Sequence, residues 1–204
     1  MWLVDGRDTG SSSAEGLLSH SERARADRFR SAQLRCRYVN AHSALRLLGE
    51  GYFGLPAHEQ IYLSNEFGKP RLVGSNKWHC NISYDGDHAL VSWNEGQVIG
   101  VDIEGIRPIE DAADLAQLHY TLAERAALMA SAHDSARFTR EFLTVWVRKE
   151  ACIKAIGRGL NMPLSTFECG IADGTATVEV ARRQLRTGVV RTAKDQLVAW
   201  AVCR

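Results

Sequence analysis

The chain lacks most of what would place it outside the ordinary soluble globular proteins. No apolar run in its 204 residues approaches the roughly 18 needed to cross a bilayer. The opening MWLVDGRD carries neither the basic nor the apolar region of an export signal, so the reading is cytoplasmic, with no membrane partner. Five cysteines (Cys36, Cys80, Cys152, Cys169 and Cys203) are odd in number, scattered and never spaced C-x-x-C, which argues against a disulfide framework or a structural zinc site. His79, Cys80 and His88 are close in sequence but match no standard ligand spacing. No tract is of low complexity, and 45% hydrophobic with 24% charged residues can bury a core.

The net charge of +1 conceals a local excess. Between Glu22 and Arg37 stand six arginines (Arg23, Arg25, Arg28, Arg30, Arg35, Arg37) against two acids. Such a segment suits anions, and a solvated helix face accounts for it equally well. No aromatic interleaving or nucleic-acid fold signature accompanies it, so nucleic acid is not expected as a partner.

The patterning predicts a short strand at the N-terminus, a loop over Gly10–Ala14, and a capping box at Ser19-His-Ser-Glu22 that opens a helix. Leu34, Tyr38, Ala41, Leu45 and Leu48 recur at helical spacing up to Gly49 and Gly51. Turns at Gly68, Pro70 and Gly74 precede strands at 81–83, 89–93 and 98–103. The second half repeats the theme, with helix over 109–133 and 138–156, a hairpin turn at Asp173-Gly174, and strands at 175–180, 188–191 and 196–202. Helices followed by antiparallel strands, given twice, predict two α+β lobes, 1–97 and 98–204.

Chemistry concentrates in two segments. In Ile99-Gly-Val-Asp102-Ile-Glu104 the acids are two apart on a strand and share a face, with Val101 and Ile103 opposite. Paired carboxylates repel unless a hard cation such as Mg²⁺ sits with them, and an edge strand with two solvated acids is the plain alternative. In Phe142–Leu160, the residues Phe142, Val145, Trp146, Ile153 and Ile156 form an apolar arc with Glu150 and Lys154 as an i, i+4 pair at its edge. Lys149 falls inside that arc, where it either snorkels or enters a buried polar site. Three acids for a metal, with lysines and arginines for anions, indicate phosphate-ester chemistry but leave nuclease, phosphatase and transferase open.

Four strings read in order are similar to the signatures of 4'-phosphopantetheinyl transferases of the two-lobe, surfactin-synthetase-activating type. They are Phe67-Gly-Lys69-Pro70, Asn81-Ile-Ser83, Gly100-Val-Asp102-Ile-Glu104, and Trp146-Val-Arg-Lys149-Glu150-Ala-Cys-Ile-Lys154 continuing to Gly159-Leu160. The resemblance implies a monomer of two similar α+β lobes, a pseudo-dimer with coenzyme A in the cleft between them. It implies transfer of phosphopantetheine to a serine of an apo acyl- or peptidyl-carrier protein, with release of 3',5'-ADP. It assigns Mg²⁺ to Asp102, Glu104 and Glu150, and catalysis to Glu150 as general base and Lys154 as phosphoryl clamp. Coenzyme A contacts fall to Lys69, Pro70, Ser83, Tyr84, Lys154, Arg25 and Arg37, and Glu124 aligns with an acid that assists the metal or a water. Tyr84 stands where the family commonly has a histidine; it donates one hydrogen bond but carries no positive charge, leaving His79 or His88 to replace it. A magnesium nuclease of the Asp then Glu-x-Lys type is disfavoured because Ile106 occupies the lysine position. A coenzyme A- or carrier-binding module without catalysis is the other rival.

Overall fold

The computed structural model describes residues 1–7, 12–193 and 195–203. The chain divides into two compact units, Met1–Gly96 and Gln97–Arg204. In the first, β1 (Trp2–Asp5) is followed by the helices α1 (Ser12–Gly16), α2 (His20–Ala26) and α3 (Ala32–Phe53). The short hairpin β2 (Tyr62–Ser64) and β3 (Pro70–Leu72) leads to β4 (Trp78–Asp85) and β5 (His88–Glu95). The sheet runs β1-β5-β4, antiparallel throughout, with Trp2 opposite Val91 and Ile82 opposite Val91 on the other side. The second unit opens with β6 (Ile99–Gly105), continues through α4 (Ala112–His119), α5 (Leu122–Met129) and α6 (Ser135–Ile156), and ends in β7 (Gly174–Val180), β8 (Arg183–Arg191) and β9 (Gln196–Cys203). Its antiparallel sheet is ordered β6-β9-β8-β7.

Both units follow one plan. A first strand pairs with the last, and a 22-residue helix packs on the sheet. Each long helix ends at a left-handed glycine, Gly54 (φ 72°) or Gly157 (φ 76°), a conformation that costs glycine little. The α+β class read from the pattern is the class observed. No helix among the described residues is long and apolar enough to cross a membrane.

Local departures have local causes. The capping box at Ser19 is present, with Glu22 N–H bonded to Ser19 Oγ and Ser19 N–H to Glu22 Oε2. Of the expected loop, Gly10 and Ser11 lie outside the described residues, and Ser12–Gly16 is helical instead. Gly49 and Gly51 do not stop α3; Gly54 does. Gly49 sits under the Phe53 ring and the Gln60 amide, where a Cβ would meet the ring at 2.7 Å, so packing places glycine there. The helical pattern over 109–133 is two helices, because Thr121 caps α5 with its own box to Glu124. Asp173-Gly174 is the entry to β7 rather than a hairpin turn. The turn lies at Ala181-Arg182, both at positive φ (50° and 64°), the geometry a two-residue hairpin with right-handed strand twist requires. That residue pair carries no turn chemistry, which is why β8 begins five residues earlier than the pattern indicates.

Candidate functional site

The second unit brings Asp102, Glu150 and Lys154 together. Gly100 makes this possible: a Cβ there would stand 2.1 Å from Ala151 O and 2.2 Å from Ala155 N, so only glycine lets β6 lie against the α6 backbone. Two residues on, Asp102 shares the face of Gly100 and meets Lys154, its Oδ1 accepting from Nζ at 2.5 Å. Lys154 Nζ is 3.9 Å from Glu150 Oε2. Glu104, farther along the same face, accepts from Arg107 Nη1 at 3.2 Å.

Glu150 is the desolvated member. Its Oε1 is buried with no hydrogen-bond partner among the described residues. Burial pushes its carboxyl up, the Lys154 charge opposes that, and the nearby Asp102 and Glu104 charges raise it further, to about 7. An added cation would relieve all three acids, so the donor set suits a hard divalent ion. As they stand, no three His, Cys, Asp or Glu side chains among the described residues are gathered closely enough to hold one. Lys154 instead supplies the positive charge on Asp102.

Lys149 does not face phosphate. Fully buried, it pairs with Glu124 Oε2 at 2.8 Å and donates to Leu164 O at 2.8 Å and Phe167 O at 2.5 Å. Glu124 is spent on structure as well. Its Oε2 also accepts from Thr121 N (2.9 Å), and its Oε1 from Cys169 N (2.7 Å). Arg148 beside it donates to the carbonyls of Cys169, Gly170 and Gly174. Three consecutive residues of α6 thus divide the work, two holding the returning chain and one facing the acids of β6.

The first unit holds a cavity of about 520 Å³ bounded by α2, α3, β4 and the β2–β3 hairpin. Arg25, Arg37, Pro70 and Tyr84 line it, as do Phe29, Tyr38, Tyr62, Glu22 and His42. Arg25 lies 5.7 Å from the Tyr38 ring centre and Arg37 5.1 Å from that of Tyr84. Burial raises the Tyr84 hydroxyl, with Arg25 and Arg37 acting against the shift, so Tyr84 is neutral at pH 7. Arg37 sets a positive charge over that ring, while burial and the Lys69 charge lower the pKa of His79. Ser83 is not on the cavity wall; it alternates with Ile82 and Tyr84 and is buried on the other face of β4. Lys69 is not on the wall either, and its backbone N–H bonds Asn65 Oδ1 within the hairpin. Of the six arginines, Arg23 is spent on Leu18 O and Arg35 on Glu15 and Asp27.

Glu22 and His42 escape sequence reading. Glu22 is a capping residue by pattern, and only the fold puts His42 Nδ1 3.0 Å from its Oε1 and Arg46 Nη2 2.6 Å from its Oε2. A histidine and an arginine four apart on one helix are the sole trace of that network in the sequence.

Comparison with known proteins bears on residues 98–202, which match the model of the 4'-phosphopantetheinyl transferase superfamily. The 4'-phosphopantetheinyl transferase psf-1 of Bacillus pumilus is 29% identical over 92% of this chain and 78% of its own. The transferase ffp of Bacillus subtilis is 30% identical over 91% and 87%, and Sfp of Bacillus subtilis strain 168 is 32% identical over 58% and 51%. Among solved structures, the holo-[acyl-carrier-protein] synthase of Thermotoga maritima aligns with 53% of this chain and 64% of its own at TM-score 0.32 and 18% identity, too remote to add to the argument. By its carboxylate strand, its lysine-glutamate helix and these relatives, the chain belongs to the 4'-phosphopantetheinyl transferase superfamily, in its Sfp-like branch.

Proposed function

We propose that the protein transfers the 4'-phosphopantetheine of coenzyme A to a serine of an apo acyl- or peptidyl-carrier protein. The observation that carries this reading is the meeting of Asp102, Glu150 and Lys154 on β6 and α6, within the stretch that matches the family. Asp102, Glu104 and Glu150 would hold Mg²⁺, which when bound supplies Lewis-acid polarisation of the pyrophosphate.

The chain's own residues do the rest. Glu150, whose Oε1 is buried without a hydrogen-bond partner among the described residues, receives the proton of the carrier serine hydroxyl as its oxygen bonds to the β-phosphorus. The bond from that phosphorus to the bridging oxygen breaks, and 3',5'-ADP leaves. Lys154 donates to the phosphoryl oxygens as charge develops on them, leaving Asp102 to do so. The first unit's cavity has aromatic walls for a purine and Arg25 and Arg37 for its phosphate. Pro70 and Tyr84 belong to that wall, while Ser83 and Lys69 contact coenzyme A only by routes other than this cavity.

Intact-protein mass spectrometry of apo carrier proteins incubated with the protein, coenzyme A and Mg²⁺ tests the reading. A gain of one phosphopantetheine, abolished by EDTA, is the expected result. Coenzyme A binding with no gain on any carrier would favour the non-catalytic module.

A further inference from the structure

We infer that Lys149 and Glu124 form a positioning pair for the transfer reaction: they set the rotation of α6, and neither takes part in the chemistry. The inference rests on the transferase reading for its meaning, and on geometry for its substance.

Lys149 has three ammonium hydrogens and three acceptors within 2.8 Å, namely Glu124 Oε2, Leu164 O and Phe167 O. Glu124 receives Thr121 N–H, Cys169 N–H and Lys149. Both side chains are wholly buried, so neither the carboxylate nor the ammonium is open to a substrate, a metal or a water from solvent. The pair ties the start of α5, the middle of α6 and the chain returning after it to one point. Both Glu124 oxygens are occupied by these donors and closed to solvent, which separates the side chain from the water-assisting role that alignment with the family suggests.

The consequence reaches Glu150 through helix geometry. Successive residues turn by about 100°, so fixing Lys149 toward Leu164 and Phe167 fixes the direction in which Glu150 leaves the helix. Lys154, four residues later, projects near Glu150. A small rotation of α6 would carry both away from Asp102, and the Gly100 contact leaves no slack in translation. The adjacent lysine and glutamate thus work as a fixed and a facing residue.

The test compares the parent with Glu124→Gln, Lys149→Met and the double variant in steady-state transfer from coenzyme A to an apo carrier protein. Each single change leaves a buried partner unmatched and is expected to lower the melting temperature more than the double change does. The double variant is expected to lose about 10- to 100-fold in kcat, to keep KM for coenzyme A within about twofold, and to retain the acid limb of the parent's pH–rate profile. Parental kcat in the double variant would show the pair to be stabilising only and overturn the inference. So would a Glu124→Gln protein that melts like the parent but loses the acid limb, since Glu124 would then be a base. Failure of the transferase reading is a different event, seen as no mass gain with the parent. A second readout needs no turnover: in lysine-ammonium NMR spectra, the Lys154 signal is expected to shift in the double variant. An unmoved Lys154 signal would sink the inference whatever the protein catalyses.

Discussion

Glu22 in the first unit and Glu150 in the second are both buried carboxylates, yet their acidities move in opposite directions. At Glu22 burial raises the pKa, but the His42 hydrogen bond, the Ser19 backbone N–H and the Arg46 charge outweigh it and hold the group at about 2. At Glu150 burial acts with only Lys154 against it, while Asp102 and Glu104 add to it, and the group rises to about 7. Burial is shared; partnership is not. A carboxylate with both oxygens engaged stabilises the fold, whereas one left with a bare oxygen beside two like charges costs stability and stays available for reaction.

Exchanging each glutamate for glutamine sharpens the contrast. Glu150→Gln is expected to reduce transfer by about 10²- to 10⁴-fold, read by carrier mass gain, while its melting temperature stays at or above the parent's because an unpartnered buried oxygen has been neutralised. Glu22→Gln should do the reverse, leaving the acids of β6 untouched and costing about 3 kcal/mol of stability. Its pH dependence follows from the depressed pKa. Stability from Glu22 is fully present above the unfolded value of about 4.5 and is lost as pH falls toward 2, an effect of about 3 kcal/mol. Denaturant titrations at pH 7 and pH 3 should therefore show parent and Glu22→Gln converging in acid; parallel behaviour would mean that the Arg46 and His42 contacts do not hold in solution.

Gly100→Ala attacks the comparison from the backbone. A Cβ 2.1 Å from a carbonyl oxygen must push β6 off α6, so a loss of about 1–3 kcal/mol together with reduced transfer is expected, and unchanged melting would refute the close approach. The smallest effect is expected from Lys154→Met. With one positive charge withdrawn from Asp102, added Mg²⁺ should raise the melting temperature by more than it does in the parent, by a few degrees for about 1 kcal/mol. A smaller Mg²⁺ shift in the variant would mean that the ammonium does not compete for these acids.

Much of this was legible in the residues. The capping box, the close of α6 at Ile156, the carboxylate strand and the doubled α+β theme all rest on local rules of spacing and capping. What was not legible depended on distant partners. Lys149 is a lone charge in an apolar arc until Glu124, 25 residues earlier, and the carbonyls of 164 and 167 are brought to it. Ser83 sat in a string shared with the family, but the parity of β4 turns it from the wall that Tyr84 occupies. Gly49 and Gly51 looked like a helix stop because glycine's packing use and its terminating use share one letter.

The cysteines give each unit its own reporter. Cys80, on β4, is wholly buried in the core of the first unit, its thiol pushed up to about 12 by burial, and Cys152 and Cys169 lie in the core of the second. A thiol so placed reacts with an alkylating reagent only when its surroundings open. Site-resolved labelling rates would therefore time the breathing of the two halves separately, without a mutation or a tag, and would reveal whether a ligand that steadies one also quiets the other.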